Sequence, residues 1–176
     1  MILTGPEIVR EREAGRITIE PFDPAQVNPN SYNYRLGATL RVHRSHELDA
    51  RATARPLDEF IIPAAGALLL PGRIYLGTTL ESVGSTHYVP SLIGRSSLGR
   101  IGMFLQFSAD MGNLGAVHRW TLEIEVVHPT LVHAGDRTGQ ITFTAACGAV
   151  RLYDGHFGRI SEATAPARPE LLAAAR

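Results

Sequence analysis

Residues 88–108 read YVPSLIGRSSLGRIGMFLQFS: two short apolar runs, 88–93 and 102–108, flank a polar segment bounded by Gly94 and Gly102. Each run has the length of a strand, and Gly and Pro fall where a helix would break. The same rhythm extends outward from about Asp58, with runs at 60–62, 68–70, 74–81, 120–127, 140–145 and 150–153. Pro71-Gly72, Gly84, Gly112, Pro129 and Gly135 separate them. Many short strands at this spacing predict a mainly β fold, a distorted barrel or jelly-roll-like sandwich, rather than alternating βαβ units. Only the start reads as helix: Thr4 stands as its cap, Glu7 completes a capping box, Pro6 fits the first turn and Gly15 ends it. The charged, aperiodic stretch 43–56 reads as an exposed loop or arm. One domain is expected over 1–162, and the Ala-, Arg- and Pro-rich tail 163–176 reads as a flexible lid or a disordered end.

Composition narrows the function. Of 176 residues, 44% are hydrophobic and 19% charged, a globular profile. The 17 basic residues balance 17 acidic ones, which argues against nucleic acid as a partner. Every basic residue is arginine, so Schiff-base chemistry and a Walker-type phosphate-binding lysine are excluded. Cys147 is the only cysteine, which removes intrachain disulfides and multi-cysteine zinc sites. The first residues carry no signal-peptide pattern, and the longest apolar runs, such as AAGALLLPG at 64–72, fall short of the ~20 residues that cross a bilayer. These features lead us to expect a cytoplasmic protein with no membrane partner.

Two segments carry chemistry. In Gly94-Arg95-Ser96-Ser97-Leu98-Gly99-Arg100-Ile101-Gly102, arginine forks and serine hydroxyls are concentrated between glycines that let a ligand approach the backbone. Such a set suits phosphate oxygens; its plain alternative is a surface turn. In Trp120-Thr121-Leu122-Glu123-Ile124-Glu125-Val126-Val127, strand alternation puts Glu123 and Glu125 on one face, opposite Leu122 and Ile124. A carboxylate on a rigid strand suits general-base work, and a half-buried strand with a wet face is the alternative. The histidines form no metal-ligand pattern: His43 and His46 lie in the charged loop, and His87, His118, His128, His133 and His156 are scattered near strand ends, reading as surface or turn residues. No His-x-Glu pairs with Pro-Cys-x-x-Cys, which excludes the zinc-dependent deaminase mechanism.

The order GRSSLGRIG, SADMGNLGAVHRWTLE, HAGDRTGQITF resembles the dCTP deaminase family of the dUTPase-like superfamily. Upstream, Asn30-Ser31-Tyr32-Asn33-Tyr34-Arg35-Leu36-Gly37 is similar to the family's ASYDLRLG. Leu70-Pro71-Gly72 with Leu76-Gly77-Thr78-Thr79-Leu80-Glu81 is similar to its PGEFxLGxTLE. The likeness runs from the first helix to about Arg168.

The resemblance implies a dUTPase-like fold and hydrolytic deamination at C4 of a cytosine nucleotide, dCTP or a relative, without a catalytic metal. Glu123 would activate water and shuttle its proton, Ser96 would help position that water, and Arg100 would stabilise developing charge. Arg95 and Ser97, with the backbone of Leu98 and Gly99, would cradle phosphates. Thr121 and Leu122 would line the base pocket through their backbone, and Gln140, in a TGQ turn, matches a nucleotide contact. The family's IDPGF sugar site appears as Gly112-Asn113-Leu114-Gly115-Ala116, so Asn113 and Gly115 would lie at the sugar, with the aspartate's charge lost and space opened by Ala116. The closing segment is altered around Tyr153, with His156 for lysine and Ile160 for glutamine, weakening triphosphate contacts. Other implications are a homotrimer with sites shared between subunits, and Mg²⁺ bound through the substrate phosphates. A dUTPase-like diphosphatase, a bifunctional dUMP-forming enzyme and a non-catalytic nucleotide-binding regulator are the alternatives.

Overall fold

The chain opens in α1 (Gly5–Glu13), which buries Gly5, Ile8 and Glu11 against the strands that follow. Thr4 is its N-cap, but the expected capping box does not form: the Thr4 side chain makes no cap hydrogen bond, and Glu7 pairs with Arg10 instead. Gly15 ends the helix with φ 73°, a conformation glycine adopts without penalty. In this computed structural model, residues 1–49, 56–106, 109–155, 158 and 160–163 are described.

After α1 come β1 (Ile17–Glu20), β2 (Val27–Asn28), β3 (Ser31–Arg35), β4 (Thr39–His43), β5 (Leu57–Ile61), β6 (Ala67–Leu69), β7 (Tyr75–Thr78), β8 (Ser82–Ser85) and β9 (Tyr88–Gly94). A one-turn helix, α2 (Ser96–Gly99), precedes β10 (Met103–Leu105), β11 (Val117–His118), β12 (Thr121–Val126), β13 (Thr130–Val132) and β14 (Arg137–Ala145). They form antiparallel sheets in the orders β1-β8-β11, β10-β12-β7-β4-β5, β13-β6 and β2-β3-β14-β9. The fold is mainly β, as expected.

Several elements differ from the sequence reading. The run 74–81 splits into β7 and the start of a turn, because fully buried Glu81 bends the chain toward Arg35. Its carboxylate accepts from the Arg35 backbone N–H at 2.9 Å and from Nε at 2.6 Å. Residues 150–153 form no strand; the Tyr153 N–H donates to the Leu114 carbonyl, so the segment crosses a loop instead of joining a sheet edge. The TGQ stretch is no turn either. Thr138, Gly139 and Gln140 lie within β14, where Gly139 leaves room for the Tyr34 ring; a Cβ there would meet its hydroxyl at 1.9 Å. β1, β3 and β4 supply core strands between α1 and residue 43 beyond those expected; β1 and β4 alternate in burial, while β3 does not. In β3, Ser31, Tyr32, Asn33 and Tyr34 are all buried, so no alternation marks it. Residues 44–49 are exposed, as the loop reading requires; 50–55 lie outside the described residues.

One apolar cluster joins the sheets, including Ile8, Tyr32, Tyr34, Leu92, Leu122, Ile124 and Phe143. Burying a large apolar side chain contributes ~1.5–3 kcal/mol, so this cluster fixes the strand that carries Glu123.

Candidate active site

β12 alternates as its sequence demands. Leu122, Ile124 and Val126 enter the core, while Thr121, Glu123 and Glu125 occupy the other face, half-buried. What separates the two glutamates is the extent of the neighbouring strand. β10 pairs with β12 from Met103 opposite Val126 to Leu105 opposite Ile124, so Glu125 faces Phe104 across the ladder. The ladder stops there, and Glu123 opens onto a pocket of about 360 Å³.

Thr121 and Glu123 form one wall, with Gln106 and Ala109 beside them. The chain before β12 contributes Asn113, Ala116, His118 of β11 and Trp120, and the segment after β14 contributes Tyr153, Gly158 and Ile160. The stretch before β11 is folded tightly: the Gly115 N–H donates to the Ser85 carbonyl at 2.8 Å, and Ala116 N–H to that of Asn113 at 3.1 Å. Gly115 has φ 97°, and a Cβ there would stand 3.1 Å from the Tyr153 nitrogen. Both conformation and close approach therefore call for glycine.

His118 departs from the surface reading. It is 8% exposed, its ring lies 4.3 Å from that of Trp120, and its Nδ1 donates to the Arg119 carbonyl at 2.8 Å. Burial holds its pKa below the usual imidazole value, opposed by hydrogen bonds to the Arg119 and Ile160 backbone. Trp120 is fixed by its indole N–H donating to the Val83 carbonyl at 2.8 Å. Past Ile160, Arg41 holds the chain through Glu162 at 3.1 Å and through the Ala163 carbonyl. Gln106, His118 and Trp120 are pocket residues that sequence reasoning missed: His118 and Trp120 lie within the SADMGNLGAVHRWTLE stretch but carry no expected role there, and Gln106 falls between the motifs.

Of the expected residues, Glu123, Thr121, Asn113 and Tyr153 meet in this pocket, with Gly115 shaping its rim. The Leu122 side chain is buried in the core. His156 lies outside the described residues. Arg95, Ser96, Ser97, Leu98, Gly99 and Arg100 do not line the pocket of their own chain. They form α2 and its ends beyond β9, with Ser96, Ser97 and Arg100 exposed and Leu98 packed on the core. Gln140 also lies outside the pocket. It pairs with Ile93 on β9, and its Oε1 accepts from Ser31 at 2.6 Å and Asn28 at 3.1 Å. One chain thus presents a pocket with a carboxylate and, apart from it, a donor-rich segment.

No helix among the described residues is long and apolar enough to cross a membrane. The family model for dCTP deaminase-like proteins matches residues 2–146. A protein of Cytophaga hutchinsonii described as dCTP deaminase, dUMP-forming, is 45% identical over 155 residues, covering 87% of each chain. One of Leptospira biflexa with the same description is 44% identical over 153 residues, again covering 87% of each chain. Among solved structures, the 2′-deoxycytidine 5′-triphosphate deaminase of Agrobacterium tumefaciens superposes with a TM-score of 0.67 at 25% identity. That likeness covers 82% of this chain and 48% of the other. By this family match and these relatives, the chain belongs to the dCTP deaminase-like family.

Proposed function

We propose that the protein hydrolyses the 4-amino group of a cytosine nucleotide, dCTP or a close relative, giving the uracil nucleotide and ammonia. One observation carries the reading: Glu123 is the only carboxylate lining the pocket among the described residues, and it lies where β10 stops covering β12. Glu123 takes a proton from water as the oxygen adds to C4, and passes it to the ring N3. It then takes the new hydroxyl's proton and delivers it to the amino group. Ammonia leaves as the C4 carbonyl forms. Cytosine and water are thereby converted to uracil and ammonia with no other reactant.

Ser96 and Arg100 complete this site in a second copy of the chain, as a homotrimer with shared sites requires. Their absence from the pocket of their own chain supports that reading. Arg95, Ser97 and the α2 backbone take the phosphates, joined by Gln140. Mg²⁺ enters with the triphosphate, held by phosphate oxygens; among the described residues no three His, Cys, Asp or Glu side chains converge to hold a metal. The soluble substrate and the lone exposed Cys147 suit a cytoplasmic protein.

The relatives are described as dUMP-forming, and forming dUMP from dCTP also removes two phosphates. For that second step this pocket offers Asn113, an amide that cannot accept water's proton, so deamination is the activity we assign. The test measures ammonia and pyrophosphate over dCTP, CTP, dCMP, CMP and dUTP. Ammonia release from a cytosine nucleotide is expected, and Glu123→Gln should lower it about 10³-fold while nucleotide affinity stays within about tenfold, ~1.4 kcal/mol. Glu125→Gln should be mild. Pyrophosphate without ammonia would make the protein a diphosphatase, neither product would make it a binding regulator, and turnover in Glu123→Gln would remove that residue from the mechanism.

A further inference from the structure

The ladder between β10 and β12 ends in an unusual exchange of partners. Extending its register would set Gln106 opposite Glu123, with each backbone N–H donating to the other's carbonyl. One of those bonds is present but long: Gln106 N–H reaches the Glu123 carbonyl at 3.4 Å. The other is replaced. The Glu123 N–H donates to the side-chain Oε1 of Gln106 at 2.6 Å, so an amide side chain stands where a main-chain acceptor is expected.

The backbone shows why. Gln106 has φ 50°, the only positive value among the described non-glycine residues, in a region that side chains with a Cβ seldom occupy. The left-handed turn takes the chain out of the sheet, and the returning loop runs along β9, where Leu92 N–H donates to the Asp110 carbonyl and Gly112 N–H to that of Pro90. Had β10 continued straight, it would have covered Glu123 as it covers Glu125. Leaving the sheet opens the pocket but would free the Glu123 N–H. The Gln106 side chain resolves that conflict. It is 8% exposed, lines the pocket, and its Nε2 is oriented by the Ala109 carbonyl at 3.4 Å.

We propose that Gln106 is a positioning residue for the reaction, its side-chain amide fixing the Glu123 backbone in place of a strand and so setting the position of the carboxylate in the open pocket. The inference rests on the reading of Glu123 as the proton carrier. It predicts that losing the acceptor disturbs chemistry more than binding.

The experiment compares wild type with Gln106→Met, which keeps side-chain length without the amide acceptor, and Gln106→Gly, which also relieves the left-handed backbone. In both, kcat for ammonia release should fall about 10- to 100-fold with KM within about threefold, the pattern of an interaction that matters in the transition state. Hydrogen exchange in the peptide containing Glu123 should quicken at least about tenfold as its N–H loses its partner. An unchanged kcat in either folded variant would overturn the proposal. So would a loss carried entirely by KM, which would place Gln106 on the substrate itself. If both variants are too unstable to assay, unchanged Glu123 exchange below their melting transition would overturn it equally, and faster exchange would support it. Full activity in Glu123→Gln would instead overturn the underlying reading, whatever Gln106 does.

Discussion

β12 and the α2 segment lie within thirty residues of each other in the chain, yet their polar groups are held in opposite ways. Glu123 is half-buried, carried on a strand locked into the core by Leu122 and Ile124, with its own N–H clamped by Gln106. Arg95 and Arg100 have no carboxylate partner among the described residues, whereas Arg10, Arg12, Arg16, Arg35, Arg41 and Arg44 each form an ion pair. On the proposed reading, the difference follows from what each group does. A proton carrier has to be in place before its substrate arrives. Donors for a polyanion are most effective when no internal acid has already claimed them, because an existing pair must first be broken. The proposed division between arginines held in ion pairs and arginines that meet a ligand can therefore be tested by experiment.

The sharpest break between the two classes is Arg100→Ala. It should lower kcat/KM about 10²-fold or more, the size expected for losing a charge-stabilising donor, while leaving the melting midpoint unchanged. Mixing it with Glu123→Gln under conditions of subunit exchange sharpens the comparison further. If each site takes Glu123 from one chain and Arg100 from its neighbour, random assembly leaves about a quarter of the sites intact. Activity should rise toward that share from two nearly inactive parents. No recovery, with exchange verified, would mean that sites are not shared, and a stable mass near 19.1 kDa by light scattering would deny the assembly altogether.

The converse variant is Glu11→Gln. Buried Glu11 accepts hydrogen bonds from Arg16, just ahead of β1, and from the Tyr88 hydroxyl of β9 at 2.7 Å, tying α1 to both. The Arg16 hydrogen bond, then that from Tyr88, lower its carboxyl pKa to about 2, below the ordinary 4.5. A folded-state pKa depressed in this way adds stability above about 4.5 that is lost as pH falls toward 2. Glu11→Gln should cost about 2 kcal/mol at neutral pH, in the range of hydrogen bonds to charged groups, and flatten the acid limb of the stability curve. The rate constant of the protein that remains folded should not change. Chemical denaturation between pH 2 and 7 checks the first point; a lowered kcat in fully folded variant would blur the distinction between structural and ligand-directed charges.

Sequence alone carried part of this picture, for physical reasons. The orientation of Glu123 is legible because β12 is wet on one face, so the period-two pattern survives in Thr121, Glu123 and Glu125. β3 is illegible for the opposite reason: Ser31 and Asn33 are buried too, satisfied by Gln140, Asn28 and the Gln26 carbonyl, and no pattern shows through. α2 hides because one turn of Ser-Ser-Leu-Gly is helical only through local hydrogen bonds, such as Gly99 N–H to the Arg95 carbonyl at 2.9 Å. Glu81 breaks a strand through Arg35, far away in the chain, which no local window contains. His118 and Gln106 gain their places through the loop and the strand end that surround them. The family motifs contain Asn113, Thr121 and Glu123; tertiary contacts decided which residues share one chain's pocket.

The smallest expected effect lies inside the pocket and concerns the sugar. Asn113 and Ala116 both line it, and Ala116 is 2% exposed with the chain of Gly158 behind it. A Cβ on Gly158 would come within 3.7 Å of the Ala116 methyl and 2.9 Å of the Tyr153 ring, so Gly158 packs against both, and residue 116 itself adds only a methyl to this part of the wall. A ring pressed against the ribose 2′ position would reject the extra hydroxyl by contact; an alanine leaves room for it, with water if needed. Asn113 keeps an acceptor for a sugar hydroxyl but no charge to strengthen the bond. The expected preference for dCTP over CTP is therefore within about tenfold, ~1.4 kcal/mol, and Ile160, an apolar residue on the wall, should leave triphosphate favoured only weakly over monophosphate. The measurement is kcat/KM for dCTP, CTP, dCMP and CMP in one buffer. Asn113→Asp with Ala116→Phe should move selectivity toward deoxynucleotides, and because the new ring must displace Gly158, the double variant should also melt earlier than Asn113→Asp alone. Strong selectivity for dCTP over all three others in the wild type would show that something besides this wall reads the sugar, and the argument from Ala116 would fail.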